Sequence, residues 1–167
     1  MTKIATTKPY LSSVLMSDAT SLVADFNYAT VDLKEASNTT VSLGQIVYWN
    51  GTDAYRILKN ADFTSDTVLT APAGTPSLPD RGAIGVVVGF NGSLGGEYEA
   101  TVGTTAVKAY VLFRGPVAVK DEFASGGIKF DAGVVAARKA LIKSQLEGKG
   151  VDVKPVLATT GSSFYGY

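Results

Sequence analysis

The sequence predicts a mainly β fold of the α+β class. Three segments indicate this: LGQIVYWNGTDAY (43–55), GAIGVVVGF (82–90) and VKAYVLFRGPVAV (107–119). The first alternates apolar side chains and then reaches Asn50-Gly51, a pair that favours a type I′ hairpin turn because both central residues need positive φ. The other two are β-branched runs interrupted by glycine, which is typical of buried strands. Together they predict a small β-rich core.

The first 37 residues differ from the rest, since they are rich in Ser, Thr and Ala and contain no glycine. Within them, Phe26 to Leu33 alternates in a way that suits a short strand. We interpret residues 1–37 as an N-terminal arm that is extended and only locally ordered until it docks. The alternative is that this segment is an ordinary first strand of the domain.

A long loop is predicted over residues 60–80, because Pro72, Pro76 and Pro79 disfavour pairing inside a sheet. The chain therefore divides into an arm (1–37), a β-rich domain (38–160) and a short aromatic tail (161–167).

One helix is predicted from about residue 132 to residue 147. Asp131 is placed to cap it, and Gly148 stands where a glycine commonly ends a helix. Its apolar stripe consists of Val134, Val135, Ala137, Leu141, Ile142 and Leu146. We expect this stripe to seal the core.

Composition excludes several classes of function. The chain has no cysteine and no histidine, so disulfides, thiolate metal sites and Ser-His-Asp or Cys-His catalytic sets are impossible. Lys+Arg and Asp+Glu are both 15, and without a dense basic run we expect no nucleic-acid partner. There is no long apolar run and no convincing signal peptide, so we expect no membrane contact. Only 18% of residues are charged, which indicates a surface partly covered by another chain.

The residues that could carry chemistry also have simpler structural interpretations. Glu97 and Glu99 would share one face of a strand, and a small hydrolase with this carboxylate pair stays an alternative. Asp62, Ser65 and Asp66 offer oxygen ligands but lack the spacing of a calcium loop. We therefore predict no catalytic residue, no metal and no cofactor.

Trp49, Tyr48 and Tyr55 cluster around the predicted hairpin. Such a cluster could stack against sugars, so a carbohydrate-binding β module, or another tail or spike module of a virus, stays open as an alternative. Aromatic cross-strand pairs also stabilise a sheet, and we favour that interpretation.

The order of these segments resembles the lambda-type bacteriophage head decoration proteins, also called capsid cement proteins. In that family an arm precedes a strand reaching V-x-W-[ND]-G-T, which is matched here by Val47, Trp49, Asn50, Gly51 and Thr52. A small-residue strand follows, matched by Ala83, Gly85 and Val86, and then a strand with a positive residue and glycine, where Arg114 and Gly115 fall. A helix and a last strand complete the likeness, which covers residues 26–157.

The resemblance implies a small mixed β-sheet or barrel of the β-clip type with a packed helix. It implies a structural virion protein rather than an enzyme: a homotrimer, made in the host cytoplasm, that stabilises the head from the outer surface of the capsid. Its partner would be the major capsid protein, which the arm would bind by adding a strand. Backbone pairing barely offsets the cost of ordering an arm, so apolar side chains must add to binding. The expected capsid-binding residues are Phe26, Tyr28, Val31 and Leu33.

Overall fold

The computed structural model of the protein describes residues 14–17, 27–70, 83–91, 97–123 and 126–156. Its strands are β1 (Leu15–Ser17), β2 (Tyr28–Leu33), β3 (Thr39–Ser42), β4 (Ile46–Trp49), β5 (Tyr55–Ile57), β6 (Phe63–Ser65), β7 (Val68–Leu69), β8 (Ile84–Phe90), β9 (Glu99–Val102), β10 (Val107–Leu112), β11 (Val117–Lys120) and β12 (Val151–Lys154). An α-helix, α1 (Ala136–Glu147), lies between the last two strands. The mainly β class with a packed helix is confirmed.

Five strands close into a barrel in the order β10, β2, β5, β4, β8 and back to β10. Every neighbouring pair is antiparallel except β2 and β5, which run parallel. Closure gives each strand a neighbour on both sides, and the junction of β2 with β5 consists of the single residue pair Leu33 and Tyr55. All seven residues of β8 are buried, as its continuous apolar sequence predicts.

The predicted arm is wrong for residues 28–33, which form barrel strand β2. Tyr28, Val31 and Leu33 are 3%, 4% and 1% exposed and belong to the hydrophobic core. They cannot contact a capsid while the barrel is closed, and the alternative of an ordinary first strand is the correct one for this segment. The barrel therefore starts before the predicted boundary at residue 38, and Phe26 lies outside the described residues. An alternating pattern looks the same in a docking arm and in a barrel strand, and only the neighbours β10 and β5 distinguish them.

A second sheet has the order β1, β11, β12, with β11 and β12 parallel. The connection between these parallel strands contains α1, as a parallel crossover requires. Ion pairs join Lys139 to Glu122 and Lys143 to Asp121, and so tie α1 to the chain just after β11. At the other edge Val14 and Leu15 are buried where β1 pairs with β11.

The helix begins later than predicted, at Ala136, and its N-cap is Val135 rather than Asp131. Asp131 instead accepts a long hydrogen bond from the backbone N–H of Gly133, at 3.4 Å. At the other end Gly148 keeps a right-handed φ of −60°. The left-handed residue is Gly150, with φ +81°, a backbone conformation in which any side chain would be strained.

The first half of the predicted 60–80 loop contains regular structure. Residues 60–62 form a 3-10 turn, and β6 and β7 pair as an antiparallel hairpin. Strands β3 and β9 pair as a separate two-stranded ribbon. Residues 71–82, with the three prolines, and the aromatic tail lie outside the described residues.

Candidate functional site: a charged cleft beside the barrel

A cleft of about 340 Å³ opens beside the barrel where β2 ends and β5 begins. It is lined by Lys34, Glu35, Ala36, Asn50, Arg56, Lys59 and Thr104, and we call it the charged cleft. The parallel pairing of Leu33 with Tyr55 brings the residues after β2 next to β5. A hydrogen bond from the N–H of Lys34 to the Tyr55 carbonyl, at 2.9 Å, continues that pairing into the cleft.

The β4–β5 loop forms one wall of the charged cleft, and Asn50 holds its shape. The Asn50 Oδ1 atom accepts backbone N–H groups from Thr52, Asp53 and Ala54 at 2.8, 3.1 and 3.3 Å. The predicted hairpin is therefore present, but its two-residue type I′ turn is wrong. Only Gly51 in this loop has positive φ, since an Asn side chain that accepts local N–H groups stabilises a wider turn.

Glu35 forms the floor of the charged cleft, with a side chain only 4% exposed. Its Oε1 accepts the N–H of Ile57 at 2.7 Å, and its Oε2 accepts the Lys59 ammonium, also at 2.7 Å. A buried carboxylate is tolerated only when donors surround it. Glu35 therefore joins β2, β5 and the segment after β5 through one side chain.

A second buried carboxylate, Asp62, lies behind Arg56. Its side chain is 3% exposed, and it accepts hydrogen bonds from Arg56 Nη2 and from the Lys59 N–H, the latter at 2.7 Å. Tyr48 packs next to this pair and donates its hydroxyl to the Thr70 carbonyl. Burial, followed by the nearby Asp62 carboxylate, raises the pKa of Tyr48 above its usual 10.0. The hydroxyl therefore stays protonated and continues to donate its hydrogen bond to the Thr70 carbonyl.

The cations of the charged cleft are more exposed than the buried carboxylates. Lys34, Arg56 and Lys59 have side chains 35%, 42% and 45% exposed, and pair with Asp53, Asp62 and Glu35 respectively. Charges within this set balance. The chain has no histidine or cysteine. The charged cleft can therefore bind a ligand through hydrogen bonds that its cationic side chains donate.

Sequence reasoning missed this site and selected other residues. The four expected capsid-binding residues do not meet here: Tyr28, Val31 and Leu33 are in the core, and Phe26 lies outside the described residues. Lys34 and Arg56 are 22 positions apart, so no local motif reveals their meeting. The one available signal was the run Lys34-Glu35 directly after an alternating strand.

The aromatic residues of the β4–β5 hairpin pack against the hydrophobic core. Tyr48 and Tyr55 are 2% and 3% exposed. Trp49 and Tyr55 meet edge to face at 5.3 Å, and Tyr55 packs on Phe113 at 5.4 Å. The core interpretation is therefore correct for Tyr48 and Tyr55, since a sugar cannot stack on buried faces, while Trp49 is partly buried against the core.

The other candidate ligands are separated in the structure. Asp62 is used by Arg56, while Asp66 pairs with Arg138 at 2.9 Å. Among the described residues, no three His, Cys, Asp or Glu side chains gather as a metal site would require. Glu97 and Glu99 are exposed at the start of β9.

No helix within the described ranges combines the length and the apolar character that crossing a membrane would need. Comparison of the chain with protein families, with curated proteins and with solved structures found no match.

Proposed function

We propose that this chain is a structural virion protein, a decoration or cement protein that binds the outer surface of a bacteriophage capsid and stabilises the head. The observation that carries the proposal is the order of its sequence motifs, which resembles that family from the V-x-W-N-G-T segment to the last strand. The proposal includes a homotrimer and the major capsid protein as partner, and no enzymatic activity.

The positions of the matching residues support this proposal. Val47 is fully buried in barrel strand β4, Asn50 holds the β4–β5 loop, and Gly85 lies against Phe113. These motif residues therefore build the framework of the barrel. Proteins that share a fold but differ in their surfaces would be expected to resemble one another at such framework positions.

The use of charged side chains also supports a binding role over catalysis. Buried Glu35 and Asp62 each accept a backbone N–H and a cation. Carboxylates that are committed in this way stabilise a fold, whereas a general base must be free to take a proton. A head-stabilising protein needs a rigid fold and an interface rather than a reactive group.

The experiment is cosedimentation of the purified protein with heads of its own phage that were assembled without it. We expect saturable binding at a fixed number of sites and heads that withstand heating better. Light scattering of the free protein and imaging of decorated heads test the trimer. Failure to sediment with heads at micromolar concentrations would contradict the proposal.

A shortened chain tests whether the N-terminal segment or the folded domain contacts the capsid. The family resemblance implies an N-terminal arm, and residues 1–13 precede the described strands of both sheets. Their deletion removes no barrel residue, so we expect the same melting curve and weaker binding to heads. Equal binding by the shortened chain would move the interface to the folded domain.

A further inference from the structure

The charged cleft offers more hydrogen-bond donors than its own carboxylates accept. Arg56 bonds Asp62 through Nη2, and its Nε is buried without an acceptor, so the guanidinium is held through one nitrogen of three. Lys34 and Lys59 each donate to one carboxylate, and an ammonium carries three N–H groups. The remaining donors belong to side chains that are 35–45% exposed. Apart from the buried Arg56 Nε, these donors are available to an acceptor that enters from outside.

The two buried carboxylates of the cleft do not depend on these cations alone. Glu35 keeps the Ile57 N–H, and Asp62 keeps the Lys59 N–H, both at 2.7 Å. A cation that turns partly towards a ligand therefore leaves each carboxylate with a hydrogen bond. This lowers the cost of sharing the cation, because a buried carboxylate without donors would be strongly disfavoured.

The balance of charge selects the class of ligand. The three cations face Glu35, Asp53 and Asp62, so the cleft is formally neutral. A dianion such as phosphate would meet two buried carboxylates a short distance behind the donors, and their repulsion rises with ligand charge. A monoanion is repelled less, and a carboxylate accepts charge-assisted hydrogen bonds from guanidinium and ammonium groups.

We propose that the charged cleft is a binding site for a carboxylate group, which accepts hydrogen bonds from Arg56, Lys34 and Lys59. The volume of about 340 Å³ admits a small molecule or a side chain. The carboxylate is either a free small acid or an acidic side chain of another protein. This site does not depend on the virion role proposed above.

The test is a titration of the isotope-labelled full chain followed by backbone amide NMR at constant ionic strength. The probes are acetate, a Glu-containing tripeptide with blocked ends, and inorganic phosphate. We expect acetate to give saturable shifts at the amides of Ala36, Ile57 and Lys59, with a dissociation constant of about 1–10 mM. Phosphate is expected to bind more weakly. If the blocked peptide binds as tightly as acetate, the natural ligand is an acidic side chain of another protein. If the peptide does not bind, the natural ligand is a free small acid.

Three variants locate the binding. Arg56→Gln is expected to weaken acetate binding about tenfold, as one charge-assisted hydrogen bond would. Lys34→Gln is expected to weaken it about threefold, and its partner Asp53 is 49% exposed, so this variant stays folded even if Arg56→Gln does not. The control is Lys108→Gln, which removes a cation from an exposed ion pair with Asp32 and is expected to bind acetate normally. Shifts that never saturate, tighter binding of phosphate, or unchanged binding by Lys34→Gln would each overturn the proposal.

Discussion

Gly85 in β8 and Phe113 after β10 occupy adjoining space inside the barrel. A Cβ atom at position 85 would lie 2.9 Å from Cε1 of Phe113, and 2.4 Å from Cγ1 of Val111. Phe113 is 3% exposed and packs on Tyr55. Gly85 is therefore required by packing, since the ring fills the volume that a side chain would need.

Replacing Gly85 by Ala is expected to destabilise the protein by about 1–3 kcal/mol, because overpacking forces Phe113 or Val111 off its position. Urea denaturation measures the change. Gly133→Ala is the matched control, since the nearest atom to a Cβ there is Asp131 Oδ2 at 3.6 Å. Equal stability of both variants would mean that the barrel relaxes around the added methyl group.

Leu33→Ala tests the reassignment of β2 from arm to barrel. Leu33 is 1% exposed, so we expect a loss of about 2–5 kcal/mol in the isolated protein. Thr30→Ala on the same strand is the control, because Thr30 is exposed. A Leu33→Ala variant as stable as wild type would restore the arm interpretation for this segment.

Glu35 is expected to matter more for stability than its partner Lys59. Glu35→Ala leaves the N–H of Ile57 without its acceptor, and we expect a loss of about 1–3 kcal/mol. Lys59→Gln removes a side chain that is 45% exposed and leaves Glu35 with one donor, so a loss below about 1 kcal/mol is expected. Chemical denaturation of both variants compares them. The reverse order would show that the ion pair, rather than the backbone hydrogen bond, holds the cleft floor.

The two central apolar residues of α1 should differ in their contribution to stability. Ile142 is fully buried, and Ile142→Ala is expected to cost about 2–5 kcal/mol. Leu141, which the sequence placed on the same stripe, is only partly buried, so Leu141→Ala should cost clearly less. Thermal melting ranks the two variants, and an equal loss would indicate that the helix packs through a wider face.

The free energy of unfolding is expected to depend on pH through the ammonium group of Lys149, which lies between α1 and β12. Burial lowers the pKa of Lys149 below its ordinary 10.5. The folded state therefore holds this proton less tightly than the unfolded state, and folding is penalised at pH values below the folded pKa. That penalty disappears as the pH rises towards 10.5.

Lys149→Met should therefore be more stable than wild type at about pH 7, with the advantage shrinking towards about pH 10. Urea denaturation at both pH values measures this difference. Lys154→Met is the control, since Lys154 is 50% exposed and paired with Asp152. An advantage that does not vary with pH would assign the effect to packing of the methionine rather than to the buried charge.

Local patterns predicted most of the strands. The burial of IVYW and of IGVVVGF follows from each segment's own apolar residues, so the sequence sufficed to place β4 and β8. The helix was predicted with an error of four residues at its start, because the apolar pattern extends through Val134 and Val135 before the backbone becomes helical. The β4–β5 turn was misjudged since Asn50 uses its side chain rather than a positive φ.

The sequence by itself determined the mainly β class, the apolar segments and the absence of any histidine or cysteine chemistry. Only the tertiary structure decided that Tyr28 to Leu33 is a barrel strand, because its pattern does not say which strands become its neighbours. The charged cleft was decided in the same way. Lys34, Glu35, Arg56 and Lys59 meet through the parallel pairing of β2 with β5, a contact between strands distant along the chain that no local pattern encodes.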